Sequence, residues 1–336
     1  MNQPSPRIAG GLVGPGQSAG RSALEDGNGV ASPNVDRTCS TVLALPSDET
    51  ALARARHGRG YWKNVWTRLR EDKITIVVIV VLIAIVLTAV LAPLLTPHDP
   101  LATSVFNRLK PTGTAGHWLG TDEIGRDLWA RMVYGGRLSL VCGVLPVTVA
   151  LLVGGTLGIL AGFAGGVVNS AIMRAMDVLY AFPSILLAIA ICGILGAGIG
   201  NTILALSVTF VPPFVRISEA VTTQVRSLDF VEAARASGSR TALILRYHIL
   251  NNVLGPILVY ATSLISISII LASGLSFLGL GVSPPSPEWG LMLNNLRPAI
   301  WVNPMVAALP GVMIFLTSMC FNLTSDGIRQ AMDVRL

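Results

Sequence analysis

The sequence predicts an all-α polytopic membrane protein with six transmembrane helices and with both termini on the cytoplasmic side. Three observations carry that expectation. Of the 336 residues, 52% are hydrophobic and only 12% charged, about half the charge of a soluble domain. The apolar residues gather into six runs, and about 20 helical residues span a hydrocarbon core of about 30 Å. Basic residues also crowd before the first run: ten of the 24 Lys and Arg lie within residues 1–73. Such crowding against an apolar body marks membrane topology, so the net charge of +6 argues for no nucleic-acid partner and against a soluble enzyme.

Residues 1–60 are rich in Gly, Pro, Ser and Asp and lack periodicity. They bury too little apolar surface to offset their ordering entropy, so a disordered cytoplasmic tail is expected. No basic segment leading into an apolar core opens the sequence, so no cleavable signal peptide is expected. Residues 61–73 read as an interfacial amphipathic helix. Tyr61, Trp62, Val65, Trp66 and Leu69 share one face, and Lys63 and Arg70 lie opposite, with aromatics at headgroup depth.

The transmembrane domain is expected over 74–336. Its spans run from Ile74 to Leu95, then from about Leu138 to Phe163, Ala171 to Leu195, Asn201 to Ser218, Asn252 to Ser276 and Pro304 to Leu323. Arg54, Arg56, Arg59, Lys63, Arg68, Arg70 and Lys73 precede the first span and put the N-terminus inside. Loops 96–137 and 277–303 are then external and 223–251 cytoplasmic. Arg108, Lys110, Arg126, Arg131 and Arg137 in loop 96–137 pull the other way; the cluster beside the first span is taken to dominate.

Loop 223–251 carries the richest pattern. Asp229 followed by Glu232 has the spacing of a capping box, Gly238 suits a left-handed helix end, and a second helix should run from Thr241 towards Asn251. The product is either a projecting knob, whose small face at Ala233 and Ala234 admits another protein, or an ordinary helical hairpin. Gly154, Gly158 and Gly162 recur every four residues, a spacing for close helix packing. Arg174 with Asp177 and Arg216 with Glu219, each three apart, read as interfacial ion pairs or as parts that transmit movement.

Gly120 to Arg137 is either a solvated interfacial helix or an external gate, with Asp122, Arg126 and Asp127 as its candidates. The segment 281–290, holding Pro284, Pro285 and Trp289, cannot be helical throughout and is either pathway lining or a rigid turn. Cys39, Cys142, Cys192 and Cys320 have no metal-ligand spacing, so neither a disulfide nor a metal site is expected. None of the three lysines, Lys63, Lys73 and Lys110, sits in a phosphate-binding loop. No ionisable residue occupies the centre of a span, where ion-coupled carriers place them. The driving force must come from outside the chain.

Glu232-Ala233-Ala234, Gly238 and Leu250, in that spacing, resemble the EAA loop of ABC importer permeases, although Asn251 stands where that family has proline. Gly120 to Leu140 and Ser276 to Gly290 are similar to segments of the peptide/nickel permeases. The resemblance covers about residues 61–336. It implies a type I ABC importer permease fold and the second (C-type) membrane subunit of the dipeptide/oligopeptide/nickel importer family. It further implies ATPase coupling through Glu232, Ala233, Ala234, Gly238 and Leu250, a bacterial inner membrane and no catalytic residue or cofactor in this chain. ATP and Mg would be bound by two partner ATPase subunits. The other implied partners are a homologous second permease, an extracytoplasmic solute-binding protein, the lipid bilayer and a peptide substrate. The alternatives are the same machinery carrying nickel or another small solute, and a standalone channel or secondary carrier.

Overall fold

The computed structural model describes residues 66–332. The expected tail over 1–60, Cys39 within it, and residues 61–65 of the amphipathic segment lie outside the described residues. Residues 66–71 are helical, and Arg70 lies over the ring of Trp66 at 5.2 Å.

Helix α1 covers Lys73–Val90 and starts at Asp72, whose carboxylate accepts the Ile74 N–H at 3.0 Å and the Thr75 hydroxyl. The expected span to Leu95 breaks at Leu91, followed by a short helix Ala92–Leu95. Pro93 has no N–H to continue the ladder. The Ala89 and Val90 carbonyls instead accept from the Arg137 guanidinium, both at 2.7 Å.

Helix α2, Leu128–Ala164, has 37 residues and is about 55 Å long at 1.5 Å per residue. It starts ten residues before its expected span because its first turns pack into a polar cap, described below. Helices α3 (Gly166–Tyr180) and α4 (Ser184–Leu195) meet at an 80° bend. They replace the expected continuous third span. Pro183 disfavours helical backbone at Phe182, and it is the residue before the first turn of α4. Helix α5 is Ile199–Arg226 and α6 is Asp229–Ala236. Helix α7 runs unbroken over Thr241–Phe277, so no boundary separates the loop from the fifth span at Asn251. Helix α8 is Trp289–Asn295, and α9, Pro304–Met332, outruns its expected end at Leu323.

Helices α2 and α5 run parallel. A Cβ on Gly154 would lie 2.7 Å from the Val211 carbonyl oxygen, and one on Gly162 2.7 Å from that of Glu219; at Gly158 it would clash with the Val215 carbonyl. The expected close packing is therefore present, backbone against backbone. Since α2 ends where α5 ends, the chain between them must return across the bundle. With the bent pair α3–α4 taken as one broken crossing, the described residues hold six candidate spans. Thr75 abuts Gly327, so the start of α1 and the end of α9 share the end that carries α6.

The main core lies between α2, α4, α5 and α7, around Phe210, Phe214, Ile257 and Leu275. A second cluster joins Ile85, Met132, Trp289, Leu296 and Val306 at the opposite end. Cys142, Cys192 and Cys320 are buried free thiols. Gly158→Ala should lower the thermal midpoint of the purified protein by an amount equivalent to about 1–3 kcal/mol. Gly193→Ala, whose Cβ meets nothing within 4 Å, should leave it unchanged.

Candidate functional site

At the α6 end, Leu228 and not Asp229 precedes the first turn, and no side-chain cap forms. The expected capping box is thus absent. Asp229 and Glu232 both sit inside the first turn, where their charges favour the helix dipole. The exit is as expected: Gly238 has φ +75°, its N–H reaches the Arg235 carbonyl at 2.9 Å, and the Ser239 N–H reaches Ala234 at 3.1 Å. These two bonds make a Schellman motif. Val231 is buried and anchors the knob, whereas Glu232 and Ala233 are exposed and Ala234 half-buried. Leu228, Phe230, Leu243 and Tyr247 expose apolar surface around it.

Beyond the knob, the turn Ile244–Ile249 is wound as a π-helix and leads directly through Leu250 into the rest of α7. The Asn251 and Asn252 amides donate to the Tyr247 and His248 carbonyls at 3.2 and 2.6 Å. Asn251 therefore continues the helix at the position where the resembling family has proline. Arg235 lies over the Phe163 ring at 5.9 Å, tying the knob to the end of α2.

The ion pairing differs from the two expected intrahelical pairs. Arg216 on α5 reaches across to Asp177 on α3 at 2.5 Å and lies over the Tyr180 ring at 4.6 Å. Glu219 accepts instead from the Asn169 amide at 2.6 Å, while Arg174 is exposed on α3. Helical spacing permits a pair on one helix, but the crossing of α3 and α5 brings the opposite charges closer. Above this pair, a cavity of about 490 Å³ opens at the α3–α4 bend. Tyr180, Phe182, Pro183, Pro212, Pro213 and Tyr260 line it. Neither the bend nor this cavity was among the expected pathway elements; Pro183 was the signal available for it.

At the other end, loop 96–127 and the segment 278–303 clasp the start of α2. The stretch before Leu128 is neither helical nor solvated: Asp122, Arg126 and Asp127 are buried in a turned loop. Asp122 accepts from Arg126 Nε at 2.5 Å and is ion-paired with Arg131, whose Nε lies 3.3 Å away. Arg131 Nη1 also donates to the Pro100 and Pro285 carbonyls at 3.2 and 3.5 Å, which joins both loops to α2. Beside them, burial and the neighbouring Asp122 charge push the Glu123 carboxyl above its ordinary value. Asp127 begins α2, accepting the Ala130 N–H at 2.8 Å.

Pro284 and Pro285 are exposed. Trp289, by contrast, is 1% exposed and donates its Nε1–H to the Met132 carbonyl at 2.9 Å. It is a wedge between segments and faces packed protein. The residue that positions it, Glu288, was passed over in the sequence. Its carboxylate accepts the Gly290 and Leu291 N–H groups at 2.9 and 2.8 Å and the Ser139 hydroxyl at 3.1 Å. A carboxylate just before an apolar helical run was the available signal. Burial raises its pKa, against the lowering effect of those bonds.

This architecture is that of a membrane transport subunit. The family described as "Binding-protein-dependent transport system inner membrane component" matches residues 154–336, and "N-terminal TM domain of oligopeptide transport permease C" matches 60–111. The chain belongs to this family and is a multi-pass membrane permease subunit of an ABC importer. It is 39% identical over 285 residues to a glutathione transport system permease protein of Pectobacterium atrosepticum, covering 85% of this chain and 95% of that one. It is 42% identical over 275 residues to a dipeptide transport system permease protein of Alkalihalophilus pseudofirmus, covering 82% and 90%. A solved inward-facing structure of the MetNI methionine ABC transporter superposes with a TM-score of 0.51 at 17% identity, covering 60% of this chain and 96% of that chain. That likeness concerns the fold.

Two outcomes follow from the geometry. Arg216→Ala should change the thermal midpoint by an amount equivalent to at most about 1 kcal/mol, because the Arg216–Asp177 pair is exposed. For Glu288, the raised pKa means that its protonated form is favoured by folding. Its contribution is full below the ordinary value of 4.5 and is lost as pH rises through the raised folded-state value. Followed by thermal melts across pH, the midpoint of wild type should therefore fall relative to that of Glu288→Gln, whose neutral side chain does not titrate, as pH rises.

Proposed function

We propose that the chain imports di- or oligopeptides as one membrane subunit of an ATP-driven complex in the bacterial inner membrane. It pairs with a homologous second permease, two ABC ATPase subunits and an extracytoplasmic solute-binding protein. Both termini and loop 223–251 lie in the cytoplasm in this reading, and the polar cap faces the binding protein. The chain itself does no covalent chemistry; ATP and Mg bind the ATPase subunits. The names of the relatives, dipeptide and glutathione permeases, support a peptide as the solute.

One observation carries the coupling: an exposed knob, Asp229–Ala236, whose exit is fixed by the Schellman bonds and followed by a 37-residue helix. In this reading Glu232, Ala233, Ala234 and Gly238 seat in the ATPase, and Leu250 lies on the helix that carries the displacement onward. A push on the knob moves α7 as a body, and α7 packs against α2 and lines the bend cavity through Tyr260 and Leu264. The Arg216–Asp177 pair, with Arg174 and Glu219 beside it, would follow the motion at the same end. Asp122, Arg126 and Asp127 would hold the external rim, with the exposed Pro284 and Pro285 and the Trp289 wedge forming its inner edge.

The test is uptake of a labelled dipeptide and of glutathione by cells expressing the whole transporter. Glu232→Ala, and separately Ala234→Trp at the half-buried seat, should reduce uptake by about tenfold or more, since losing a docking contact of about 1.4 kcal/mol suffices for a tenfold change. Both variants should retain membrane insertion. If Glu232→Ala and Ala234→Trp leave ATPase copurification and uptake at wild-type level, the docking assignment is wrong. If uptake of both peptides is absent in the wild type while the complex assembles, the peptide assignment is wrong.

A further inference from the structure

Three potential metal ligands meet beside the polar cap: His98 and His117, to which the transport reading gives no role, and Asp127 of the rim. His98 follows the short helix after α1, His117 sits in the turn 111–120, and Asp127 begins α2. One ligand atom from each lies within 4.8 Å of the other two. The imidazole rings are 5.2 Å apart and inclined by 35°, and His117 Nδ1 is 2.8 Å from Asp127 Oδ1. We propose that His98, His117 and Asp127 form a binding site for one divalent transition-metal ion, zinc-like in its ligand preference.

The donor chemistry favours that class. Two imidazoles and a carboxylate suit zinc and its neighbours, whereas calcium and magnesium take oxygen sets. The carboxylate is already fixed: Asp127 Oδ2 accepts the Ala130 N–H at 2.8 Å, which leaves Oδ1 towards the imidazoles. His117 is largely buried and held by that oxygen. His98 is exposed and has no hydrogen-bonding partner among the described residues, so its ring is free to swing.

Ligand atoms around a tetrahedral zinc lie about 3.4 Å apart, given metal–nitrogen bonds of about 2.1 Å. No separation among the three exceeds 4.8 Å, so rotation of the exposed His98 side chain, with a small widening of the 2.8 Å His117–Asp127 contact, brings the atoms to that spacing. A cavity of about 160 Å³, lined by Pro97, His98, Gly116, Trp118, Asp127 and Trp129, adjoins two of the three ligands. It admits the ion and leaves room for water at a fourth position. An ion here would bind together the segment after the short helix Ala92–Leu95, the turn 111–120 and the start of α2, adding to the Arg131 and Arg137 bonds that already reach from α2 to the chain around them.

The assembled transporter, purified through a tag that contains no histidine, is titrated with Zn²⁺ against a chromophoric chelator, with Ca²⁺ as the control cation. Wild type should bind one more Zn²⁺ per copy of this chain than the His98→Ala/His117→Ala variant, and Zn²⁺, unlike Ca²⁺, should raise its thermal midpoint. His98→Ala alone, at an exposed position, should fold normally, weaken that binding by about tenfold or more and abolish the rise. His57→Ala/His248→Ala should change neither. X-ray absorption of the Zn²⁺ lost in His98→Ala should report two imidazole ligands. Equal Zn²⁺ binding by wild type and His98→Ala, or a bound ion with fewer than two imidazoles, overturns the proposal.

Discussion

The contact on which the bundle depends is the backbone approach of α2 to α5. Gly154, Gly158 and Gly162 remove every Cβ from one stripe of α2, and the Val211, Val215 and Glu219 carbonyls of α5 fill the space. Between apolar helices in lipid there is little hydrophobic gain from association, so such dispersion contacts carry the packing. The stripe also sets direction. It holds α2 and α5 parallel, which obliges the intervening chain to recross the bundle through a bent pair and opens the cavity at the bend. Ser218 and Thr222 face the same stripe with hydroxyls that lack partners, a polar cost accepted for closeness.

Most of the crossings were legible because apolar run length is set by membrane thickness, which no tertiary contact alters. The glycine stripe was legible for the same reason: its spacing is its mechanism. The bent crossing was not, although Pro183 stood in the run, because hydropathy averages across a break that changes direction without changing composition. Leu128–Arg137 was assigned to a loop since its charges lower hydropathy. Arg131 is in fact buried, paired with Asp122 and the Pro285 carbonyl, and the half-buried Arg137 bonds the Ala89 and Val90 carbonyls. Arg131 and Pro285 lie 154 residues apart, and no local pattern reports such a partner.

The knob illustrates the converse. Gly238 was readable because a positive φ nearly requires glycine, and the Schellman bonds form where the sequence placed them. The capping box failed by one position. With Leu228 preceding the helix, Asp229 lies inside the first turn and stabilises it through charge rather than through a side-chain bond. Glu288, at the other end, does what Asp229 was expected to do. Its carboxylate takes two backbone N–H groups and, together with the Met132 carbonyl and the Ser139 hydroxyl, fixes the Trp289 wedge.

The two ends of the molecule are consequently fastened in different ways. At the cap, buried charges, carbonyl acceptors and an indole wedge interlock three segments, and displacing any of them would strand a charge out of water. At the knob end, α3 and α5 are tied by the solvated Arg216–Asp177 pair, which exchanges readily with water, and by the Asn169–Glu219 hydrogen bond. The polar ties are thus buried at the cap and partly solvated at the knob end. Under the proposed coupling, α7 pushed at the knob and held at the cap would swing about the cap, with displacement largest near the knob and smallest at the rim.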